Sequence, residues 1–362
     1  MYIATQFSKL QKGMKLSKPI RTSVSYSVLL AEGTVINEKH LNYLYNKSLD
    51  TIYIKVEDGT LKKVLGDEIK VLDALPDCRT KEAYLDILCT MHNIFTIGRE
   101  DKEIDFKPVD DVVKKLITEV TISEDMVMQL TSFRSYHEYT LTHSINVALL
   151  AVFLGHVLKL PMSLLRIIAY GGLLHDIGKL RVPAEILNKP GPLNEEELVV
   201  IRMHPIYGYE MMKEKAPKLD ERFLDIILHH HEKTDGSGYP EGISGEDLSL
   251  PARIVAVADV YDALSSTRSY RQRMLPHESI EYLFVDACRK HLDEDMVKAF
   301  IHGVTIYPAG TKVELTNGQR GSVIGFQEFF PMRPTIRLED TSEIINLLYM
   351  PNVLIKNIIH QS

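Results

Sequence analysis

The sequence predicts a multidomain, mainly α-helical protein, with an all-α central domain between a small N-terminal α/β module and a small C-terminal β tail. Three observations lead to this prediction. The 362 residues are enough for two or three domains. Apolar residues recur at helical spacing over residues 126–304. Over residues 305–362 the hydrophobic period changes to the alternation that is typical of strands.

The first 125 residues are predicted to form two parts. Residues 1–56 read as the α/β module, because Asn37 precedes a helical pattern as a capping residue and Thr51–Val56 alternates like a strand. Residues 57–125 are more charged and predict a helical linker region, with the linker itself around Ile97–Pro108. Neither part contains evident catalytic residues, so we expect them to sense a signal or to mediate a homodimer.

The central region, residues 126–304, is punctuated by prolines that separate successive helical patterns. The predicted helices include Ser144–Val157, Met162–Leu174, Glu195–Met212, Glu221–Leu228 and Arg253–Leu264. In the C-terminal region, residues 305–362, short alternating runs predict strands, and Asn317-Gly318 is a hairpin-turn signal between two of them.

Composition excludes several classes of protein. The net charge of -7 argues against binding to nucleic-acid polymers. Cys78, Cys89 and Cys288 lack metal-site spacing and indicate a reducing compartment. The N-terminus has no signal-peptide core, and the most apolar run, Val147–Leu160, is shorter than the ~20 residues that cross a bilayer. We therefore expect a soluble cytoplasmic protein with no membrane partner.

Histidines and aspartates are concentrated at helix ends in the central region. His175 and Asp176 follow an apolar helix, where a charged carboxylate is costly to bury unless it is paired or bound to a metal. Residues 229–231 are three consecutive histidines, of which helix geometry lets two face one site, since neighbours point ~100° apart. Asp259 interrupts another apolar helix. Imidazoles and carboxylates are ligands for divalent transition metals.

Two further histidines are ambiguous by themselves. His143 begins a helix and His204 precedes a proline, and each is as consistent with a core or capping role as with a ligand. If His143 and His204 join the other histidines and the two aspartates in one site, the histidines add no charge, because they must be neutral to bind metal. Two divalent ions (about +4) then outweigh the two aspartates (about -2). Such a site favours an anionic substrate and lowers the pKa of bound water, which indicates phosphate chemistry.

The motifs form an ordered series that resembles one family. The series consists of HDIGK at 175–179, HPIYG at 204–208, HHEKTDGSGYP at 230–240, ADVYDAL at 258–264 and RSYR at 268–271. It resembles the HD-GYP phosphodiesterases, a branch of the HD-domain metallohydrolases that degrade cyclic di-GMP in bacteria. The match spans about Tyr136 to Tyr270.

The resemblance implies roles for the metal ligands. Asp176 would bridge two ions and, with Lys179, form the catalytic pair around a metal-bridging hydroxide that attacks phosphorus. His229 would be a bystander of the histidine triplet. The first metal would be held by Asp176 with His143, His175 and Asp259, and the second by Asp176 with His204, His230 and His231.

The resemblance also implies substrate contacts and metal number. Lys179 would contact the scissile phosphate, Tyr239 a guanine or ribose, and Arg268 and Arg271 the second phosphate or a guanine edge. Some members hold a third metal with a glutamate at the position of Tyr139. We therefore expect two divalent ions, iron or manganese, and a reaction that stops at linear pGpG more readily than it continues to GMP.

Two alternatives remain open at the level of sequence. The substrate could be another cyclic dinucleotide such as 3′,3′-cyclic GMP-AMP, because the motifs name groups for phosphates and not for a base. The chain could also bind a cyclic dinucleotide without turnover. The presence of every expected metal ligand favours the enzyme.

Overall fold

The fold is known from a computed structural model, and the statements below concern the part of the chain that it describes. These residues are 2–21, 27–45, 47, 49, 52–55, 60–66, 68–69, 72, 78–99, 104–122, 141–189, 191–217, 219–265, 274–304, 307, 309–327, 330 and 332–359. Within them, no helix is both long and apolar enough to cross a membrane.

The N-terminal region combines two small antiparallel strand pairs with one helix. Asn37 caps this helix by accepting a hydrogen bond from the His40 amide at 2.9 Å, as the sequence predicts. The first strand pairs with the fourth and the second with the third. The elements are β1 (Tyr2–Thr5), β2 (Ile20–Arg21), β3 (Val28–Leu30), α1 (Glu38–Leu44) and β4 (Ile52–Lys55).

Three helices follow, α2 (Thr60–Leu65), α3 (Cys78–Gly98) and α4 (Lys107–Ile122). Asn93 on α3 holds the first strand, since its Oδ1 accepts from the Ala4 amide at 2.6 Å. The predicted linker around Ile97–Pro108 begins in α3 and ends in α4, and its residues 100–103 lie outside the described part.

The central region is helical, and its core is the helix that carries the first candidate ligand. Residues 147–154 of this helix are at most 1% exposed, because neighbouring helices pack around it. The helices are α5 (Leu141–Val157), α6 (Met162–Leu174), α7 (Ala184–Leu187), α8 (Glu195–Arg202), α9 (His204–Lys215), α10 (Glu221–His229), α11 (Leu250–Ser265), α12 (Pro276–Cys288) and α13 (Glu294–Gly303).

One predicted helix is wrong in its extent. The pattern Glu195–Met212 suggested a single helix, but α8 ends at Arg202 and α9 begins at His204. Pro205 has no amide hydrogen, so a continuous helix would leave the Ile201 carbonyl unpaired. The His204 Nδ1 bonds that carbonyl at 2.7 Å instead. The break therefore places His204 at a helix start with its ring held by the preceding helix.

The C-terminal region forms a five-stranded sheet, which corrects the predicted small β tail. Five antiparallel strands lie in the order β8-β7-β6-β5-β9. The Asn317-Gly318 turn is confirmed: Gly318 adopts φ +85° and Leu315 closes the turn by donating to Gln319 at 2.8 Å. The strands are β5 (Lys312–Leu315), β6 (Arg320–Gly325), β7 (Thr335–Leu338), β8 (Ile344–Asn346) and β9 (Ile355–Ile358).

Candidate metal centre

Helix ends deliver most of the candidate ligands to one place. His175 and Asp176 follow the last residue of α6, and His230 follows the last residue of α10. His204 opens α9. The other contributors are His143 in the first turn of α5, His231 just beyond α10 and Asp259 inside α11. Residues that are far apart in sequence therefore meet because four helices end or begin at the same point.

The seven predicted ligands form two groups. In one group the ligand atoms of Asp176, His204, His230 and His231 lie within 4.8 Å of one another. In the other the same limit holds for His143, His175 and Asp259. Five of the seven are buried, and His143 and His231 are half-buried. The donor chemistry of both groups suits a divalent transition metal.

Asp176 lies between the two groups. Its Oδ2 is 3.4 Å from the His175 Nε2 and 3.7 Å from the His143 Nε2. Its Oδ1 is 3.3 Å from the His204 Nε2 and 4.0 Å from the His230 Nε2. One carboxylate therefore presents one oxygen to each group, which is the arrangement that a bridging ligand requires.

Three candidate ligand histidines are oriented by helix-end carbonyls. The Nδ1 atoms of His175, His204 and His230 each bond the backbone carbonyl three residues earlier, at 2.9, 2.7 and 2.9 Å. A carbonyl can only accept, so Nδ1 carries the hydrogen and Nε2 is left with a lone pair. Such contacts fix the tautomer in which Nε2 binds metal.

The buried centre contains more acceptors than donors. The Nε2 atoms of His204 and His230 are 3.2 Å apart, although both rings use Nδ1 as the donor. Within the described part of the chain, the buried His175 Nε2 and Asp176 Oδ1 make no hydrogen bond. Facing lone pairs without partners are unfavourable in a buried site. A cation relieves this, so the residues fit the metals that the HD-domain motifs imply.

Burial also keeps His230 and His231 neutral, in the group that they form with Asp176 and His204. Burial and the neighbouring His231 lower the pKa of His230 well below its ordinary value. Burial and the neighbouring His204 lower the pKa of His231 to about 3. These imidazoles are therefore in the form that binds metal over the whole neutral range.

His143 is held between two carboxylates. Its Nδ1 is 2.7 Å from the Asp262 Oδ2, and its Nε2 is 3.3 Å from the Asp259 Oδ1. Burial alone would lower the pKa of His143, but hydrogen bonds to Asp259 and Asp262 raise it to about 10. The other Asp262 oxygen accepts from the Asn146 amide at 2.9 Å. Asp262 thus orients the ring of His143, a candidate ligand.

Lys179 lies in the short 3-10 helix Ile177–Arg181 and pairs with Asp176. Its Nζ is 2.6 Å from the Asp176 Oδ2. Burial would raise the pKa of Asp176, but Lys179 and His175 hold it well below its usual range. The sequence suggested that Lys179 contacts a phosphate. The structure places it on the candidate bridging carboxylate, so the phosphate contact stays a prediction.

Tyr239 packs on a candidate ligand, His231. Its ring stacks on the His231 ring with centroids 4.8 Å apart and planes 29° apart. The Arg202 guanidinium lies 5.5 Å from the Tyr239 ring centroid. Sequence reasoning missed Arg202, because it ends α8 outside every quoted motif. The ring therefore supports His231, in addition to the predicted contact with a guanine or ribose.

The loop that carries Tyr239 is closed by a buried carboxylate. Oε1 of Glu232, which is 2% exposed, accepts from the amides of Glu241 and Gly242 at 2.7 and 2.9 Å. At Gly238 a Cβ would lie 2.4 Å from the Lys233 nitrogen. These contacts explain why glutamate and glycine occupy these motif positions.

The remaining residues named from the sequence lie outside the two ligand groups or outside the described part of the chain. His229 turns away, with its Nδ1 2.7 Å from Asp225 and its Nε2 3.1 Å from Glu241. Arg268, Arg271 and Tyr139 lie outside the described residues. Their predicted roles therefore stay predictions.

Substitution of Tyr239 should separate support of His231 from recognition of substrate. We expect Y239F to retain nearly full activity, because the stacked ring remains. We expect Y239A to lose up to about tenfold in kcat/KM, since such ring contacts contribute about 0.5–1.5 kcal/mol. Steady-state kinetics of both variants would check this. A KM increase in Y239F equal to that in Y239A would show instead that the hydroxyl binds substrate.

Comparison with known proteins places the site in a family. The HD domain family matches residues 125–296, which include all seven candidate ligands. The cyclic di-GMP phosphodiesterase PA4108 of Pseudomonas aeruginosa is 38% identical over 232 residues, covering 64% of this chain and 55% of the relative. The cyclic di-GMP phosphodiesterase PdeB of Borreliella burgdorferi is 30% identical over 233 residues, covering 62% of this chain and 61% of the relative.

A third relative has a different named substrate. The 3′3′-cGAMP-specific phosphodiesterase 2 of Vibrio cholerae is 36% identical over 159 residues, covering 44% of this chain and 30% of the relative. The chain spans less than two thirds of the length of each of these three relatives.

A solved structure supports the fold. Bd1817, described as a HDG"Y"P protein from Bdellovibrio bacteriovorus, superposes with a TM-score of 0.52 over 83% of this chain and 98% of its own, at 19% identity. The motif series, the clustered ligands and the sequence relatives agree with one another. Residues 125–296 of this chain therefore match the HD domain family, and the motif series within them resembles that of the HD-GYP phosphodiesterases.

Proposed function

We propose that this protein is a metal-dependent phosphodiesterase that hydrolyses cyclic di-GMP to linear pGpG. The observation that carries the proposal is the position of Asp176, whose two oxygens face two groups of candidate metal ligands. Relatives that are named cyclic di-GMP phosphodiesterases support the substrate.

Two divalent ions, iron or manganese, are the cofactors that we propose. Asp176 with His204, His230 and His231 would hold one, and His143, His175 and Asp259, again with Asp176, would hold the other. When bound, the ions supply a hydroxide at neutral pH and a positive charge for the phosphate oxygens. Nitrogen-rich donor sets with carboxylates suit several first-row ions.

The residues of the chain itself contribute positioning and charge. Asp262 and the helix-end carbonyls hold the imidazoles in place before substrate arrives. Lys179 brings a positive charge beside Asp176, where a phosphodiester oxygen would also approach. We propose that Arg268 and Arg271 contact the second phosphate or a guanine edge, as the motif resemblance implies.

The proposed product is pGpG, because the position of the third-metal glutamate is Tyr139. Glu138 is one residue away and would point ~100° from it on a helix. A third ion therefore lacks its expected ligand. Product analysis by chromatography should show pGpG accumulating, with GMP appearing more slowly.

A second substrate is favoured by one observation. A relative named for 3′3′-cGAMP matches this chain at 36% identity, close to the 38% of a relative named for cyclic di-GMP. The described metal ligands recognise phosphate and water, and none of them distinguishes guanine from adenine. Measuring kcat/KM for both cyclic dinucleotides on one preparation would decide between them.

The test of the enzyme proposal is an anaerobic assay of the full chain after loading with Mn²⁺ or Fe²⁺. We expect about two ions for each chain and conversion of cyclic di-GMP to pGpG. A protein that is loaded with both ions and remains inert towards both dinucleotides would refute it. Fewer than two ions together with tight dinucleotide binding would instead support a non-catalytic binding protein.

We also propose a division of labour along the chain. Residues 126–304 would be the catalytic domain and residues 1–56 a small α/β regulatory module. Residues 57–125 would be the helical linker region, and residues 305–362 a small β domain. A homodimer through the N-terminal region is the assembly that we expect, and light scattering of the full chain would test it.

A further inference from the structure

A glutamate outside the HD domain contacts the helix that carries the first metal ligand. Glu68 follows α2 and lies 73 residues before Leu141, where α5 begins. Its Oε1 accepts from the Leu141 amide at 3.0 Å. Its Oε2 accepts from the Thr142 amide at 3.1 Å and from the Thr142 hydroxyl at 2.5 Å. One carboxylate thus receives three hydrogen bonds from the first two residues of the helix.

The position of these bonds matters because the next residue is His143. The first amides of a helix have no partner within the helix, and a carboxylate is especially favourable there because it also faces the positive end of the helix dipole. Such a cap usually comes from a neighbouring residue. Here a distant segment provides it, so the first turn of α5 depends on where that segment lies.

His143 is thereby held from two sides. Asp262 fixes its ring through Nδ1 at 2.7 Å, and Glu68 fixes its backbone through the preceding two residues. Tyr84 on α3 joins the same cluster. Its hydroxyl is buried, and burial together with the charges of Glu68 and Asp262 raises its pKa above the ordinary value. The phenol of Tyr84 therefore stays neutral at neutral pH.

The segment that carries Glu68 is also connected to the N-terminal module. Val64 and Leu65, at the end of α2, are buried in the core. The Lys9 Nζ donates to the Val64 carbonyl at 3.2 Å. Lys9 of the N-terminal module therefore contacts the end of α2, and Glu68, three residues after Leu65, contacts the two residues before His143.

We propose that Glu68 is a positioning residue that couples the N-terminal region to the metal group of His143, His175 and Asp259. Partners that orient a metal ligand from behind typically change metal affinity by about 10–100-fold when they are removed. Glu68 acts one step further out, through the backbone of the ligand, and we expect an effect of about tenfold. The inference rests on the proposed metal sites and not on the identity of the substrate.

The test is calorimetric titration of the full-length metal-free protein with Mn²⁺. We expect E68A to weaken one of two binding events by about tenfold and to leave the other unchanged. Activity at limiting Mn²⁺ should fall in kcat and recover with excess Mn²⁺, while KM for the dinucleotide stays constant. E68Q, which keeps one acceptor oxygen, should fall between the wild type and E68A.

Glu278 offers a matched control. It caps α12 by accepting from the Leu275 amide at 2.6 Å, and α12 carries no candidate ligand. E278A should lower the melting temperature without changing either Mn²⁺ affinity. If E68A gives this same result, Glu68 is a structural cap and the proposal is overturned.

Two further outcomes are distinguishable. If E68A does not fold, the milder variants T142V and E68Q and their double mutant replace it. Additive effects of the two substitutions on Mn²⁺ affinity would refute coupling through the contact between Glu68 and Thr142. If the wild type binds two Mn²⁺ but hydrolyses no dinucleotide, the proposed function fails. In that case the affinity difference between E68A and E278A still decides the role of Glu68.

Discussion

Asparagine in place of Asp176 is expected to reduce phosphodiesterase activity by at least about 10³-fold. Asn preserves the size of the side chain and removes the charge that both histidine groups face, at 3.3 Å and 3.4 Å. Bound metals stabilise a phosphoryl transition state by several kcal/mol, and loss of about 4 kcal/mol corresponds to this factor. Assays of loaded protein would measure kcat, and metal analysis should show fewer than two ions for each chain.

The control for D176N is an aspartate that makes equally short contacts away from the metal centre. Asp110 on α4 accepts from the Arg166 guanidinium at 2.6 Å and from the Tyr170 hydroxyl at 2.5 Å. D110N should leave kcat within a few-fold of wild type. Full metal content and kcat in D176N would show that Asp176 does not bridge the ions, and the proposed arrangement would have to be abandoned.

Alanine in place of Gly178 is expected to lower the free energy of unfolding more than any other single methyl addition near the site. A Cβ at this position would lie 1.9 Å from the His204 carbonyl oxygen and 2.3 Å from the Gly208 nitrogen. Both are backbone atoms, so no side chain can move aside. Overpacking of a rigid contact costs about 1–3 kcal/mol and occasionally more. We expect G178A to lie at or above the upper end of this range.

The same substitution should impair catalysis beyond its effect on stability. Relief of the clash must separate the 3-10 helix that follows Asp176 from the start of α9, where His204 lies. A misplacement of about 1 Å can cost about 10²-fold in rate. Denaturant unfolding and kcat, measured on the same preparation below the unfolding transition, would show both losses.

Gly98 supplies the control for this prediction. A Cβ there would meet the Leu180 Cδ1 at 3.0 Å and the ends of two other flexible side chains. The methyl group added in G98A also contacts the 3-10 helix Ile177–Arg181, but the side chains around it can rotate away. It should therefore remain within about 1 kcal/mol of wild type and retain activity. Equal stability of G178A and G98A would show that the backbones at Gly178 and His204 are not in rigid contact.

Local patterns allowed much of the fold to be predicted. The apolar run ahead of His175 predicted a helix over Met162–Leu174, and the helix has these bounds. Alternation and the Asn317-Gly318 turn predicted strands, which form a five-stranded sheet where we expected a tail. The number and order of the strands in this sheet could not be foreseen, because both depend on pairing between distant segments. The break at Met203 was missed because helical spacing continues across Pro205.

The candidate ligands were recognisable because metal binding restricts residue type, and the motif order restricts position. The contacts around them were not recognisable. The pairing of Lys179 with Asp176 was not foreseen, and Arg202 beside Tyr239 lies in none of the motifs. Glu68 was assigned no role, since nothing in its neighbourhood indicates a partner 73 residues later.

The sequence by itself determined the helical class of the central region, the identity of the seven candidate ligands and the family resemblance. The helical class depends on periodicity, and the set of seven ligands depends on residue chemistry together with the family resemblance of the motif series; all of these are read from short segments. Only the tertiary structure decided that Asp176 faces both groups, that Lys179 pairs with it, and that Glu68 caps the helix of His143. Distances of 3 Å between remote residues result from helix packing, and packing is a property of the whole chain.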